Sequence, residues 1–315
     1  MEPAPDDLDA PDAPPRRAML RPGLRATRRD DTTLQVGLDP AGRVVLPDLP
    51  PVRALLSALL VGNEPDLSTP PARQSWARLI AAGLLVDRQC VTAALARAKD
   101  VRQRAAVTAA YAAHGADATR RLRTRAEARV TVRLPLRNPR APDWGETVHR
   151  LLRGSGLGLA PPGDDFGATA ALVVTDSEPA REDLDTPLRT GEPHLLLATI
   201  EGRVRLGPFV VPGRTACLRC VDAHLEELDY RRSLVVRQYA DAETADADVP
   251  VPDDPALMTM ALAWAARDLV AFVDGDRPST WSATVAVEAG LGLHRQDWQR
   301  HPHCGCCWGD LLDVV

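Results

Sequence analysis

The sequence predicts an α/β protein in which a small α+β module precedes a larger domain of alternating strands and helices. The first observation is the length of 315 residues, which suits two domains of ordinary size. The second is the alternation of strand-period and helix-period segments along the second half of the chain. The third is a pair of cysteine clusters in that half, which predicts a structural metal site.

The composition excludes several classes of protein. The net charge of -5 argues against a protein that coats nucleic acid, because such domains are usually basic. Residues 1–17 are acidic and proline-rich without an apolar core, which predicts a disordered tail and not a signal peptide. The longest apolar runs are too short or too interrupted for a membrane span. We therefore expect a cytoplasmic protein with no membrane or nucleic-acid partner.

The first module is expected over residues 18–92. In chain order the pattern predicts strands over 32–38 and 43–46, helices over 51–60 and 72–82, and a short strand over 84–86. The Asp39–Gly42 turn joins the two longer strands into a hairpin. Such a unit is winged-helix-like.

Residues 93–127 are rich in alanine and arginine and predict a helical linker, which Gly115 interrupts. The arginines of 120–125 are typical of a solvated helix face. A site for an acidic peptide is the alternative interpretation.

The second domain is expected over 128–315. Strands are predicted over 130–136, 170–175, 194–200, 204–211 and 281–287, and helices over 147–152 and 255–273. Glu201-Gly202 between two of these strands is a hairpin signal. Residues 241–254 form an acidic loop, and Asp254 with Pro255 predicts a capped helix start.

Four cysteines are the candidate ligands of a structural zinc ion. Cys217 and Cys220 lie on one tight turn as C-x-x-C, and Cys304 begins the second cluster, with Cys306 and Cys307. Four sulfurs in a tetrahedron suit structural zinc and leave no position for water, so such a site stabilises and does not catalyse. The fourth ligand is Cys306 or Cys307, and His301 and His303 are weaker candidates. Free or redox-active thiols are the alternative.

The second half also resembles a known family. The segment from Gly207 to Cys220, followed by Asp222 and His224, and the terminal His301–Cys306 segment resemble the ThiF/E1-like proteins of azole-forming natural-product clusters. These are called cyclodehydratase C or Ocin-ThiF proteins, or TOMM precursor leader peptide-binding proteins. The resemblance implies a degenerate E1/ThiF-like Rossmann-type domain, and its C-G-C pattern favours Cys306 over Cys307.

A second resemblance concerns the N-terminal module. Leu20-Arg-Pro-Gly-Leu24, the hairpin and the Ala-Gly-Leu-Leu segment ending near Leu85 resemble a PqqD-like RiPP recognition element. The two resemblances together imply a protein that captures the leader of a ribosomal precursor peptide. It would present the precursor to a YcaO-type cyclodehydratase that performs the ATP-dependent chemistry.

The expected mode of capture is β-augmentation, in which the leader adds a strand to the hairpin edge and packs on the neighbouring helix. The candidate residues are Arg43, Val44, Val45 and Leu46 on the edge and Trp76, Leu79 and Ile80 on the helix. For the three helix residues, ordinary core packing is the competing interpretation.

The sequence predicts no catalysis and no ATP cofactor. Active E1-like proteins hold ATP on a glycine-rich loop after the first strand, but 137–143 here reads RNPRAPD. Gly154–Gly158 follows a helix and is interpreted as a helix stop. Adenylating relatives also use a lysine near the nucleotide. Lys99, the one lysine of this chain, lies outside the E1-like region.

Two alternative functions remain at this point. One is an active E1-like adenylating enzyme, and the other is a winged-helix DNA-binding regulator. The acidic balance and the absence of a basic recognition helix weigh against the regulator. The sequence leaves homodimer formation open.

Overall fold

The computed structural model describes residues 17–161, 167–241, 252–302 and 304–306. The chain divides into two compact units, Met1–Thr124 and Arg125–Val315, which we call the first and second units. The predicted tail over 1–17 lies almost wholly outside the described residues.

The first unit combines short strands with helices. Its elements are β1 (Ala18–Leu20), β2 (Ala26–Arg28), β3 (Thr33–Val36), β4 (Val44–Pro47), α1 (Pro50–Val61), α2 (Pro70–Ala81), β5 (Leu85–Asp87), α3 (Arg88–Arg97), α4 (Val101–His114) and α5 (Ala118–Glu127), the last of which contains the division between the units. β2, β3 and β4 form an antiparallel sheet in that order, and β1 pairs with β5. The predicted hairpin is therefore β3–β4 with one more strand beside it.

The helices of this unit form because apolar residues recur at helical spacing between defined ends. α1 begins with two prolines and ends where Gly62 adopts a left-handed conformation with φ 73°. The Thr69 side chain accepts a hydrogen bond from the Ala72 amide at 3.4 Å and caps α2. The shared core is formed by Val36, Val44, Leu46, Val52, Leu55, Leu56, Leu59 and Leu79.

Most of the segment predicted as a linker is helical and packs within the first unit, whereas residues 125–127 belong to the second. Val91, Val107, Ala110, Tyr111 and Ala118 form a small core there. Two arginines of α5 pair with an aspartate that directly precedes the helix.

Just before that helix, Asp117 accepts from Arg120 at 2.8 Å and from Arg121 at 2.6 Å. The Arg120 hydrogen bond, together with that of Arg121, lowers the pKa of Asp117 to about 2 against the opposing effect of burial.

The second unit is built on one seven-stranded sheet. Its elements are β6 (Arg129–Arg133), α6 (Ala141–Gly154), β7 (Gly158–Leu159), β8 (Ala170–Thr175), α7 (Asp185–Thr190), β9 (His194–Ile200), β10 (Arg203–Val210), α8 (Leu218–Glu226), α9 (Arg232–Asp241), α10 (Pro255–Val273), β11 (Ala283–Val287) and β12 (Leu293–Asp297). The strand order is β12-β11-β10-β9-β8-β6-β7. The strands from β7 to β9 are parallel, and those from β9 to β12 are antiparallel. The predicted α/β class is confirmed.

Several predicted bounds differ from the observed ones. β6 ends at Arg133, two residues before Pro135. α6 begins at Ala141, six residues before the predicted start, because Pro142 is suited to a first helical turn. The Glu201-Gly202 turn has φ values of 53° and 75°, as a tight hairpin with two left-handed residues requires.

The core of the second unit lies against α6 and α10. α10 begins at Asp254, whose carboxylate accepts from the Ala256 and Leu257 amides at 2.9 and 3.1 Å. Among the described residues, α10 is the one helix that is long and apolar enough to cross a membrane by length and composition. However, 56% of its apolar window is buried, and buried core helices of soluble proteins pass the same test.

A bulge in β10 brings two strands close together. The register against β9 shifts between Leu206 and Phe209, and Gly207 in the gap has φ 91°. A side chain at Gly207 would collide with the Ala283 carbonyl oxygen of β11. This close approach explains why glycine stands there.

Candidate peptide-binding edge and metal centre

β4 is an edge strand whose backbone groups can be assigned from the register. The Asp48 amide donates to the Thr32 carbonyl at 2.8 Å, so that pair is hydrogen-bonded. Because bonded and non-bonded pairs alternate in an antiparallel ladder, Leu46 and Val44 bond to β3, and Val45 does not. The N–H and C=O of Val45 therefore point away from β3, and within the described residues β4 pairs with no other strand. Pro47 has no N–H to offer at the end of this edge.

An open groove lies beside this edge. Its residues from the sheet side are Arg29, Asp30, Thr33, Pro40, Arg43, Val44 and Val45, and those from the end of α2 are Arg78, Ala81 and Ala82. Arg43 and Arg78 form no ion pair with any described residue. Three arginines against one aspartate make the groove basic.

The aspartate of the groove is held ionised. Hydrogen bonds from Thr33 and Thr32 lower the pKa of Asp30 to about 2. The carboxylate is therefore engaged by its own loop.

The structure places the predicted peptide-binding residues in two groups. Val44, Leu46 and Leu79 are buried in the core, and of these three Val44 also lines the groove. Arg43 and Val45 are less buried and line the groove.

The helical side of the groove differs from the prediction. Trp76 is half-buried against the core and Ile80 is 39% exposed, but Arg78, Ala81 and Ala82 form this wall. The reason is helix geometry, because Ala72, Ser75 and Leu79 form the inward stripe of α2 and turn its neighbours to the sides.

In the second unit, the structure brings Cys217, Cys220, Cys304 and Cys306 together. Cys217 is the N-cap of α8 and Cys220 lies in its first turn, so the turn that carries this pair begins a helix. Cys304 and Cys306 follow β12. The Sγ separations are 3.8 Å for 217–220, 3.9 Å for 217–304, 3.1 Å for 220–304, 3.4 Å for 220–306 and 2.6 Å for 304–306.

These separations fit a four-sulfur zinc site better than a disulfide. A disulfide needs about 2.05 Å, whereas zinc–sulfur bonds of about 2.3 Å place sulfurs roughly 3.8 Å apart in a tetrahedron. Two of the separations match that value and the other three are shorter. The Cys306 amide also points at the Cys304 sulfur, at 3.3 Å, as amides do around bound thiolates.

The four thiols of the cluster shift one another's pKa values. Hydrogen bonds from Cys217, Cys304 and Cys306 lower the pKa of Cys220. Hydrogen bonds with Cys217, Cys220 and Cys304 raise the pKa of Cys306. The N-terminus of α8 adds positive potential at Cys217 and Cys220. The other ligand candidates, His303 and Cys307, lie outside the described residues.

The third region of interest is the carboxyl edge of the parallel strands. β7 and β8 flank β6 on opposite sides, so the chain reverses its direction across the sheet between β6 and β8. In doubly wound folds ligands bind at such a point.

The polar groups of the loop that follows β6 form hydrogen bonds, most of them with one another. The Asn138 amide donates to the Pro135 carbonyl at 3.1 Å, and the Asn138 carbonyl accepts from Ala141. The Asn138 side chain accepts from the Arg140 amide at 2.8 Å and donates to Asp176 at 2.9 Å. The backbone amides of Asn138, Arg140 and Ala141 are therefore engaged within the loop.

A buried ion network lies beside that loop. Arg181 binds Asp222 through Nε at 2.6 Å and Glu178 through Nη2 at 2.7 Å, and Arg205 reaches Glu178 at 2.9 Å. Thr175, Ala198 and Arg205 occupy one row across β8, β9 and β10, which sets the network at the ends of β8 and β9. Burial opposes ionisation of Glu178, but Arg205 and Arg181 outweigh it and lower its pKa.

The fold has known counterparts. The heterocyclase TruD superposes with a TM-score of 0.67 and 17% identity, covering 92% of this chain and 42% of TruD. E. coli MccB superposes with a TM-score of 0.58 and 14% identity, covering 92% of this chain and 96% of MccB. A structure of MccB with ATP gives a TM-score of 0.59, with 14% identity and coverage of 92% and 99%. No protein-family model matches the sequence, and no curated protein matches it.

This chain has a fold similar to that of MccB. It spans about two fifths of TruD, with 42% of that protein covered. The α/β architecture that the resemblance implies is thereby confirmed at the level of the fold.

Sequence reasoning missed Arg78, Asn138 and the Arg181 network. Arg78 could have been found from its position one turn before Ala82 on the flank of α2. The pairing of Arg181 with Asp222 joins residues 41 positions apart and left no signal in the local pattern.

Proposed function

We propose that this protein is a non-catalytic leader-peptide-binding partner in the biosynthesis of azol(in)e-type ribosomal peptides. It captures the precursor leader on the edge of β4 and presents the precursor to a YcaO cyclodehydratase. The observation that carries the proposal is the outward-facing N–H and C=O of Val45 beside a basic groove.

Backbone pairing gives the affinity in this proposal, and the groove gives the selectivity. An added strand bonds to Val45 and lays alternate side chains over Ala81 and Ala82 at the end of α2. Arg29, Arg43 and Arg78 favour acidic residues in the leader, because three cations outnumber the single Asp30. MccB, which has a similar fold, has been solved in complex with N-formylated MccA.

In this proposal zinc is a structural ion held by Cys217, Cys220, Cys304 and Cys306. Their sulfurs lie within 4.8 Å of one another and come from two segments distant in sequence. A closed four-thiolate site supplies folding free energy and leaves no position for a reacting group.

The absence of catalysis is supported by the loop after β6. The backbone N–H groups of Asn138, Arg140 and Ala141 donate hydrogen bonds inside the loop. Three prolines of the same segment have no backbone N–H: Pro135, Pro139 and Pro142. A phosphate cradle needs such amides free. In the neighbouring network, the charges of Glu178 and Arg181 are already paired with each other.

A substitution on the β4 edge tests leader binding. The probe is the leader segment of the short Cys/Ser/Thr-rich precursor expected to be encoded beside this gene, followed by fluorescence anisotropy with the full chain. Val45→Pro removes the outward N–H, so binding weakens at least about tenfold. Val45→Ala keeps the N–H and is the matched control. Absence of binding to the wild-type chain, or equal binding by Val45→Pro, rejects the proposal.

A second candidate is an E1-like adenylating enzyme. It is favoured by the match of the fold to MccB with ATP over 99% of that chain. Pyrophosphate exchange that depends on the precursor peptide would support it against the non-catalytic proposal.

A further inference from the structure

A second cluster of ligand-type side chains lies one helical turn beyond the cysteines. On α8, His224 follows Cys220 by four residues and Glu227 follows His224 by three, which keeps all of them on one face. In the C-terminal segment, His301 precedes Cys304 by three residues. The two segments that assemble the cysteines therefore also bring His224, Glu227 and His301 together, with their ligand atoms within 4.8 Å of one another.

The hydrogen bonds of this cluster match those of metal-binding histidines. His224 donates its Nε2–H to the Gln299 carbonyl at 3.0 Å, which fixes the ring and leaves Nδ1 as the electron-pair donor. Metal ligands of this type usually donate their other ring N–H to a carbonyl or carboxylate. Nε2 of His301 lies 3.1 Å from Oε1 of Glu227, and the two imidazoles meet edge to face at 4.8 Å between centroids.

The surroundings are suited to a site that solvent can reach. His301 is buried, His224 is half-buried, and the side chain of Glu227 is 65% exposed. Metal bonds of about 2.0–2.2 Å place ligand atoms roughly 3.3 to 3.6 Å apart. The His301–Glu227 pair, at 3.1 Å, is slightly closer than that distance, and rotation of side chains brings in the third ligand.

We propose that His224, Glu227 and His301 bind a second divalent zinc ion, separate from the four-cysteine site. Two imidazoles and one carboxylate are the donor set of zinc sites that keep a fourth position open. That position takes water or one donor atom from a bound partner. The second ion exchanges more readily than the ion in the cysteines, because it has three ligands and one of them is exposed.

Metal stoichiometry tests this site directly. The purified full-length protein is equilibrated with zinc, and bound metal per chain is measured by mass spectrometry. The wild-type chain is expected to hold two ions, and Glu227→Ala and His301→Gln one. Glu226→Ala removes the same charge from the neighbouring helix position and retains two. After cobalt substitution, the sulfur-to-cobalt absorption bands remain in all four proteins.

Two outcomes overturn the proposal. One is a wild-type chain that holds a single ion when the cysteine site is filled. The other is a second ion that Glu227→Ala and Glu226→Ala weaken equally, which indicates nonspecific surface binding. Because Glu227 is exposed, its variant tests the site even if the buried His301 proves necessary for folding.

Discussion

The edge of β4 in the first unit leaves the N–H and C=O of Val45 pointing outward, whereas the carboxyl ends of β6 and β8 in the second unit are covered by side chains that bond one another. Beside β4, Arg43 and Arg78 lack ionic partners among the described residues. Beside β8, Arg181 and Arg205 share Glu178 in a buried network. Unsatisfied polar groups are therefore a better indication of a binding site than a position at which the fold commonly binds ligands.

The largest effect is expected from the proposed four-cysteine metal site of the second unit. Cys220→Ser removes one of the four proposed ligands, so the protein is expected to lose zinc and with it up to about 10 kcal/mol of folding free energy. Thermal unfolding and bound-zinc measurements follow the change. Leader binding stays within about threefold if the first unit alone supplies the site.

The matched control for this experiment is Cys90→Ser. Cys90 lies in the first unit against the small core of α3 and α4, outside the cysteine cluster. Equal loss of zinc in both variants would show that the cluster is not the metal site.

The next largest effect is expected from the buried ion network at the carboxyl ends of β8 and β9. Arg181→Met leaves the buried carboxylates of Glu178 and Asp222 without their shared partner, which costs about 3–5 kcal/mol. Denaturant unfolding measures the loss, with the exposed Arg189→Met as control. A loss below about 1 kcal/mol would mean that the network is open to water, and the contrast between the two edges would weaken.

The amino ends of the same strands make a pH-dependent contribution. His194 at the start of β9 is 1% exposed, and burial lowers its pKa from 6.5 to about 4. An unfolded chain binds this proton near pH 6.5 and the folded chain only near pH 4, so stability falls as the pH drops through that interval. The contribution is about 3 kcal/mol.

His194→Gln removes this proton from both states and is the reference for that measurement. Denaturant unfolding from pH 7 to pH 4 should show a steeper loss for the wild-type protein. Because both proteins carry the cysteine cluster, its titration cancels in the difference. Parallel curves would contradict a buried neutral His194.

The smallest effect concerns the charges of the groove. Arg43→Gln or Arg78→Gln weakens leader binding by about 0.5–1 kcal/mol, and the loss shrinks at high salt because exposed charges are screened. Arg25→Gln, an exposed arginine outside the groove, is the control. Equal effects of all three would indicate attraction by overall charge and not by the groove.

Local patterns predicted a large part of this molecule. The β3–β4 hairpin, α1, α2, β8 and α10 follow from periodicity and capping residues, and the four cysteines follow from their spacing. β12 was missed because all five of its residues are exposed and carry no alternation. The directions in which Val44 and Val45 point depend on the register of β4 against β3. The Arg181–Asp222 pair depends on how the sheet brings distant residues together. Neither feature can be predicted from the local sequence.

Pro47 sets a limit on how much of a guest strand the β4 edge can hold. Val45 offers both an N–H and a C=O to an added strand, whereas Pro47, the next outward-facing residue, offers only a C=O. The ladder of hydrogen bonds therefore ends after a few positions. A precursor would then be anchored at a brief tract while its remaining length behaves as a loose tether. The span of such a tether grows only with about the square root of its length, so one anchor could serve modification points at several distances along the substrate.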